Sequence, residues 1–273
     1  MDIEDVLQIT PDEEVMRIRD GDYQKDGIWY CGRCRTPRQT DITVQGIQKR
    51  VWMLCRCEAE RMVKEQEAEE RRLHMQKIEK MRSASLMPGK FQEARFENYE
   101  ICRENQRAFT VARRYVEKFE ELEERNQGLL FYGPVGTGKS HTAACIANAL
   151  MDREIPVIMT SFVKILEGYD NKEYMHLLDS ARLLIIDDLG AERNTEYALE
   201  QVYNIIDSRV RVNKPMILTT NLKLRDMMET QDIRYRRIYD RIFEVCYSVE
   251  VNGPSFRIKR ASERQRTMNE FFR

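Results

Sequence analysis

Gly133-Pro134-Val135-Gly136-Thr137-Gly138-Lys139-Ser140 reads G-x-x-x-x-G-K-S, a spacing suited to cradling the phosphates of a nucleotide. Glycines let the backbone wrap closely around an anion, and the N–H groups that open the next helix point at its charge. Lys139 would reach the β- and γ-phosphate oxygens, and Ser140 would ligate Mg²⁺. The apolar run Gly128-Leu129-Leu130-Phe131-Tyr132 precedes the loop, and Ala143, Ala144, Ile146, Ala147 and Leu150 mark a helix after it. The bland alternative is a glycine turn between strand and helix. Further on, Leu183-Leu184-Ile185-Ile186-Asp187-Asp188 is an apolar run ending in two acids. The carboxyl end of a parallel strand opens onto the ligand crevice. There Asp187 would hold Mg²⁺, directly or through water, and Asp188 would polarise the water that attacks the γ-phosphate; two acids capping a turn is the competing reading. The run at 216–219 continues into Thr220-Asn221, so Asn221 would sit at the same edge and orient that water, although such a strand end is also an ordinary turn cap. Arg237 and Arg241 lie four apart on one helical face, which by itself reads as a solvated basic surface.

A second constellation lies upstream. Cys31-x-x-Cys34 and Cys55-x-Cys57 offer four thiolates to one tetrahedral Zn²⁺, a closed structural site with no position left for water. The second pair departs from the usual C-x-x-C knuckle, and free core thiols are the alternative. Cys102, Cys145 and Cys246 stand alone and read as small buried apolar residues. Arg33, Arg35, Arg38, Lys49, Arg50 and Arg56, with Trp29, Tyr30 and Trp52 nearby, would allow nucleic-acid contact.

These residues need particular elements to position them. Short apolar runs at 128–132, 157–159, 183–186 and 216–219 alternate with helical stretches, among them 104–125 and 195–211. That alternation predicts an α/β fold with a parallel sheet covered by helices on both faces. Thr10-Pro11-Asp12-Glu13 carries the signature of a helix start. Residues 28–57 read as a small knuckle-and-turn module. Residues 58–82 hold seven acidic and seven basic side chains and no Gly or Pro, which predicts a solvated helix; a coiled coil is the alternative, but Met62, Leu73, Ile78 and Met81 keep no steady heptad. A break follows at 83–95. The predicted division is 1–57, an N-terminal helix and zinc module; 58–95, a charged helix and linker; and 96–273, the nucleotide domain.

The 273 residues carry 45 Lys+Arg against 46 Asp+Glu. Segment by segment the balance disappears: residues 1–30 are net −6, 31–57 net +5, 83–233 net −5 and 234–273 net +5. The total excludes a protein that coats nucleic acid by bulk attraction, but it permits local contact. The longest aliphatic run has four residues, far short of the roughly 18 needed for a membrane helix. The acidic start lacks the features of a signal peptide, and the odd cysteine count fits a reducing, cytoplasmic setting.

Across 85–260 the motifs together resemble the AAA+ ATPases of the DnaC/DnaI helicase-loader and IstB-like group. The matching pieces are G-P-V-G-T-G-K-S-H at 133–141, L-L-I-I-D-D-L-G at 183–190, T-T-N at 219–221, R-I-Y-D-R at 237–241 and S-F-R at 255–257. Phe91 and Ala94-Arg95-Phe96-Glu97-Asn98-Tyr99 look like the segment these proteins place before their first helix. The resemblance implies an ASCE-type P-loop fold with a reduced lid, ATP and Mg²⁺ as ligands, and ATP hydrolysis. It makes Asn221 the sensor 1 residue, Arg241 an arginine finger that serves a neighbouring subunit, and Arg257 the sensor 2 arginine. His141 falls within the loop's flank, with its side chain expected to face away from phosphate. A finger acting in trans implies ATP-dependent self-assembly. A cysteine module ahead of such a domain is similar to the arrangement in DnaI-type loaders, which implies a hexameric, DnaB-type replicative helicase and single-stranded DNA as partners. The extra helices of loaders would fall at 161–180, where Lys164 and Lys172 would touch the strand. Two further readings stay open: an IstB-like transposition regulator acting on duplex DNA with a transposase, and a zinc-ribbon DNA-binding adaptor that only senses ATP.

Overall fold

The computed structural model describes residues 18–85, 89–168, 171–191 and 195–272; the helix expected from Thr10 lies outside them. The chain divides into two compact units that meet between His74 and Met75.

In the first unit, two small antiparallel hairpins pair β1 (Tyr23–Lys25) with β2 (Ile28–Tyr30) and β3 (Gln39–Val44) with β4 (Ile47–Trp52). Each closes through two left-handed residues, Asp26-Gly27 with φ of 51° and 77° and Gln45-Gly46 with φ of 52° and 79°. Two successive positive φ values give the tight turn whose twist matches paired strands. Helix α1 (Arg56–Ala84) follows and runs on into the second unit. Pairs such as Arg56–Glu60 and Arg61–Glu65 lie along its exposed surface at i,i+4 spacing, where solvent screens them.

The second unit is built on a five-stranded, all-parallel sheet in the order β6-β7-β8-β5-β9. Its strands are β5 (Gly128–Tyr132), β6 (Val157–Ser161), β7 (Leu183–Leu189), β8 (Met216–Thr220) and β9 (Cys246–Glu250). Alternate side chains feed two cores: Leu129, Phe131, Ile185 and Ile217 face one way, and Leu130, Leu184, Ile186 and Leu218 the other. Burial on both faces is why these strands read as continuous apolar runs. The four predicted strands are present. The fifth, β9, is an edge strand with exposed Tyr247 and Glu250, so it offers no such run. The stretch expected as one helix at 104–125 is two, α2 (Gln106–Glu117) and α3 (Phe119–Glu124), because Lys118 leaves helical geometry at ψ 25°.

The compact units do not follow the boundaries read at 57 and 95. The charged helix continues to Ala84, Met81 is fully buried in the second core, and the Ser85 hydroxyl accepts the Met159 N–H of edge strand β6 at 3.1 Å. Among the described residues no helix is long and apolar enough to cross a membrane.

Arg209, on α4 (Glu196–Arg211), is 1% exposed. Its guanidinium donates to the Ala181 carbonyl at 3.0 Å and the Pro215 carbonyl at 2.8 Å, joining the entries of strands β7 and β8. Burial lowers its pKa to about 10, so it stays charged at neutral pH. Arg209→Leu would strand these buried carbonyls and is expected to cost about 2–4 kcal/mol in urea unfolding; a loss below about 0.5 kcal/mol would contradict this role.

Candidate functional site

The loop between β5 and α5 (Lys139–Met151) turns through three left-handed glycines, Gly133, Gly136 and Gly138, with φ of 139°, 85° and 102°. Side chains are also excluded by packing. A Cβ on Gly133 would meet the Val251 carbonyl oxygen at 2.5 Å, and one on Gly136 the Ser255 hydroxyl at 2.2 Å. The Phe256 N–H donates to the Gly136 carbonyl at 3.0 Å. Thr137 is buried and donates to the Pro134 carbonyl, while Val135 stands exposed at the tip. Lys139 Nζ donates to the carbonyls of Gly133 (2.8 Å) and Pro134 (2.7 Å). Burial lowers the lysine's pKa, and the charges of Asp188 and Asp187 oppose that effect. A buried ammonium held by weak acceptors is poised to exchange them for phosphate oxygens.

The two acids end β7 opposite the end of β8, and Thr219 ties them together. Its hydroxyl donates to Asp187 Oδ1 at 2.6 Å and accepts the Asp188 N–H at 2.9 Å. Asn221 Nδ2 donates to Asp188 Oδ1 at 2.8 Å. Asp188 adopts φ 65°, a left-handed conformation that costs a non-glycine residue energy and recurs at functional sites.

One cavity of about 530 Å³ gathers Gly136, Gly138, Lys139, Ser140, Asp187, Asp188, Asn221 and Arg257. His141, expected to face away from phosphate, lines this cavity beside Tyr99, with ring centroids 5.6 Å apart. The first turn of α5 packs against the preceding linker, which brings this imidazole inward, and burial lowers its pKa. Arg257 reaches the cavity because Ser255 caps α6 (Phe256–Phe271) directly over the loop. Arg241 lies elsewhere, on α7 (Ile233–Val245). Its Nε is 3.0 Å from Asp207 and its Nη1 2.9 Å from Glu244. Thr219 received no role from the sequence, although the T-T-N motif contained it. Phe91, Asn98 and Tyr99 of the linker, with Phe256 and Arg260, also line the cavity.

In the first unit, the Sγ atoms of Cys31, Cys34, Cys55 and Cys57 all lie within 4.8 Å of one another. Cys31–Cys57 is 3.6 Å and Cys55–Cys57 3.4 Å. Four sulfurs at 2.3 Å around one zinc would stand about 3.8 Å apart, so the cluster fits that ion. The irregular second pair has a local cause. Cys55 precedes the first turn of α1, its carbonyl accepting the N–H groups of Glu58 and Ala59, so the helix start presents Cys55 and Cys57 together. Thr36 joins the halves: its hydroxyl lies 3.0 Å from Cys34 Sγ and accepts the Arg56 N–H at 3.0 Å. Arg38, read as a nucleic-acid contact, is buried against Asp22, whose other oxygen accepts the Gly32 N–H of the knuckle at 3.1 Å. Arg50 pairs with Asp41.

A parallel sheet with a phosphate loop after one strand, and paired acids and an asparagine at the ends of its neighbours, defines an AAA+ nucleotide-binding domain. The chain belongs to the IstB-like ATP-binding protein family, whose pattern matches residues 47–264. It is 28% identical over 253 residues to the phage-like element PBSX protein XkdC of Bacillus subtilis (strain 168), covering 85% of this chain and 86% of that one. It is 29% identical over 161 residues to the replicative helicase loader DnaC of Escherichia coli (strain K12), covering 55% of this chain and 63% of the loader. The fold matches the crystal structure of DnaI with a TM-score of 0.54 at 24% identity, over 62% of this chain and 94% of that one. It matches that of the DnaC helicase loader at 0.52 and 23%, over 60% and 100%.

Two outcomes are expected. Thr219→Val keeps the side chain's volume but removes both ties to the acids, and should lower ATP turnover about 10–100-fold, the usual size of an outer-shell loss; unchanged turnover would contradict the role. Atomic emission should find one zinc per chain in the wild type and less than a tenth of that in Cys31→Ser and Cys55→Ser, with equal content in all three as the contrary result.

Proposed function

We propose that the protein is an ATP-dependent loader that binds a hexameric, DnaB-type replicative helicase and delivers it onto single-stranded DNA. The observation that carries this reading is the joining of one cavity that gathers Lys139, Ser140, Asp187, Asp188, Asn221 and Arg257 to a four-cysteine cluster earlier in the same chain. Similarity to helicase loaders supports it. Residues 1–57 would grip the helicase, 58–95 would connect and lend Phe91 and Ala94 to the cavity, and 96–273 would bind ATP, assemble and contact the strand in the cytoplasm.

In the ATPase cycle, the loop N–H groups and Lys139 bind the β- and γ-phosphates. Ser140 and Asp187 would hold Mg²⁺, which neutralises charge developing on the phosphates. Asp188 takes a proton from water as its oxygen bonds to the γ-phosphorus and the bond to the β-phosphate oxygen breaks. Asn221 aims that carboxylate through its existing hydrogen bond. Arg257 meets the γ-phosphate from the same chain. Arg241 does so from a neighbouring copy, so turnover requires assembly, and hydrolysis releases the loader.

The second reading is a transposition regulator that acts on duplex DNA; the cysteine cluster, whose four members all precede residue 58, favours the loader. Analytical ultracentrifugation with the cognate helicase should show a complex whose stability changes between ATP and ADP and does not respond to nucleotide in Lys139→Ala. No complex in any nucleotide state would sink the reading.

A further inference from the structure

The cavity has two chemically different walls. One carries the loop, Lys139, the paired acids and Asn221. The other is the linker, which contributes Phe91, Ala94 and Tyr99 together with Glu93 and Glu100, the latter's carboxylate paired with Lys259. Carboxylates repel phosphates but accept hydrogen bonds from ribose hydroxyls and amino groups, and the apolar side chains offer surface to a base. The linker wall therefore suits the nucleoside half of a nucleotide.

This wall has little stability of its own. The segment 89–92 is a single helical turn, too short to persist unaided, and the bonds at its end are local: the Ala94 N–H donates to the Phe91 carbonyl at 3.2 Å, and the Arg95 guanidinium donates to the Gln92 and Ala94 carbonyls at 3.0 Å. Asn148 adds donors from outside the segment. It sits on α5 nine residues beyond Lys139, about 14 Å along the helix axis, and is not among the residues lining the cavity. It is 6% exposed, and its side-chain Nδ2 donates to the carbonyls of both Phe91 and Ala94 at 2.8 Å. A second tie, Tyr99 hydroxyl to Thr142 hydroxyl at 2.8 Å, fixes the far end of the same segment to the same helix. The helix that starts at the phosphates thus also dictates where the linker stands.

We propose that Asn148 is a positioning residue for nucleotide recognition: its amide holds the linker wall in register with the phosphate loop, so that base, sugar and phosphates fit at once. The proposal rests on the reading that this cavity binds ATP. It separates the two halves of the ligand, because Asn148 acts on the nucleoside side and leaves the phosphate side alone.

The test uses the full chain and Asn148→Ala and Asn148→Asp; the aspartate keeps the shape but cannot donate to two carbonyls. Affinities for ATP, ADP and Mg²⁺-tripolyphosphate are measured by competition against a fluorescent nucleotide. ATP and ADP binding should weaken about tenfold or more in both variants, and tripolyphosphate, which has no base or sugar, should bind within twofold of wild type. Parallel loss of all three would mean a general role in the fold and overturn the proposal, as would no loss at all. A wild type that binds no ATP would instead strike at the reading of the cavity and take this inference with it. Hydrogen exchange provides a second check that does not depend on binding. Amides at 91–99 should exchange faster in the variants while those at 142–150 keep their protection; unchanged exchange at 91–99 would also overturn the assignment.

Discussion

Everything at the nucleotide site depends on a backbone constraint: within six residues the chain must turn left-handed three times, under a lid that leaves no room for a Cβ at Gly133 or Gly136. That lid comes from more than a hundred residues downstream. The Val251 carbonyl and Ser255 hydroxyl occupy the places where side chains of Gly133 and Gly136 would stand, and the Phe256 N–H bonds the Gly136 carbonyl. These contacts exist because edge strand β9 pairs in parallel with β5 and the Val251 N–H bonds the Tyr132 carbonyl at 2.8 Å. The phosphate loop is therefore shaped by the same segment that brings Arg257 to the cavity. Nucleotide contact and the start of the last helix are mechanically one piece.

The motifs of the site were legible because they are dictated by the ligand. Glycines, lysine and serine must stand at fixed spacing around phosphates, and acids must stand where strands end. The sheet was legible for a different reason: burial on both faces forces unbroken apolar runs. Residues that hold other residues were not legible. Thr219, Asn148 and Arg209 bond partners up to 57 positions away along the chain, often backbone carbonyls, and a carbonyl leaves no mark in the sequence. Strand β9 was missed because an edge strand is half solvated, and its composition looks like a loop's.

The first unit shows the same division. Four cysteines announce a cluster, but the odd second pair makes sense only once Cys55 is seen to start a helix. The positive charge of 31–57 is also less available than the count suggests. Arg38 is consumed by buried Asp22 and Arg50 by Asp41, so the module spends part of its charge on its own folding. That weakens the case for a nucleic-acid platform there and leaves recognition of a protein as the simpler role. A four-cysteine unit and a nucleotide-binding unit in one chain are the parts that the proposed ATP-controlled delivery requires.

Whether ATP state governs delivery of a helicase is read from loading onto a circular single strand, which has no end to thread. Unwinding of a short duplex annealed to that circle should require the helicase, this protein and ATP together, and should fall to the helicase-only level with Lys139→Ala. Loading that is independent of this protein's nucleotide site, or no loading in a reaction where the helicase unwinds end-bearing substrates normally, would contradict the account.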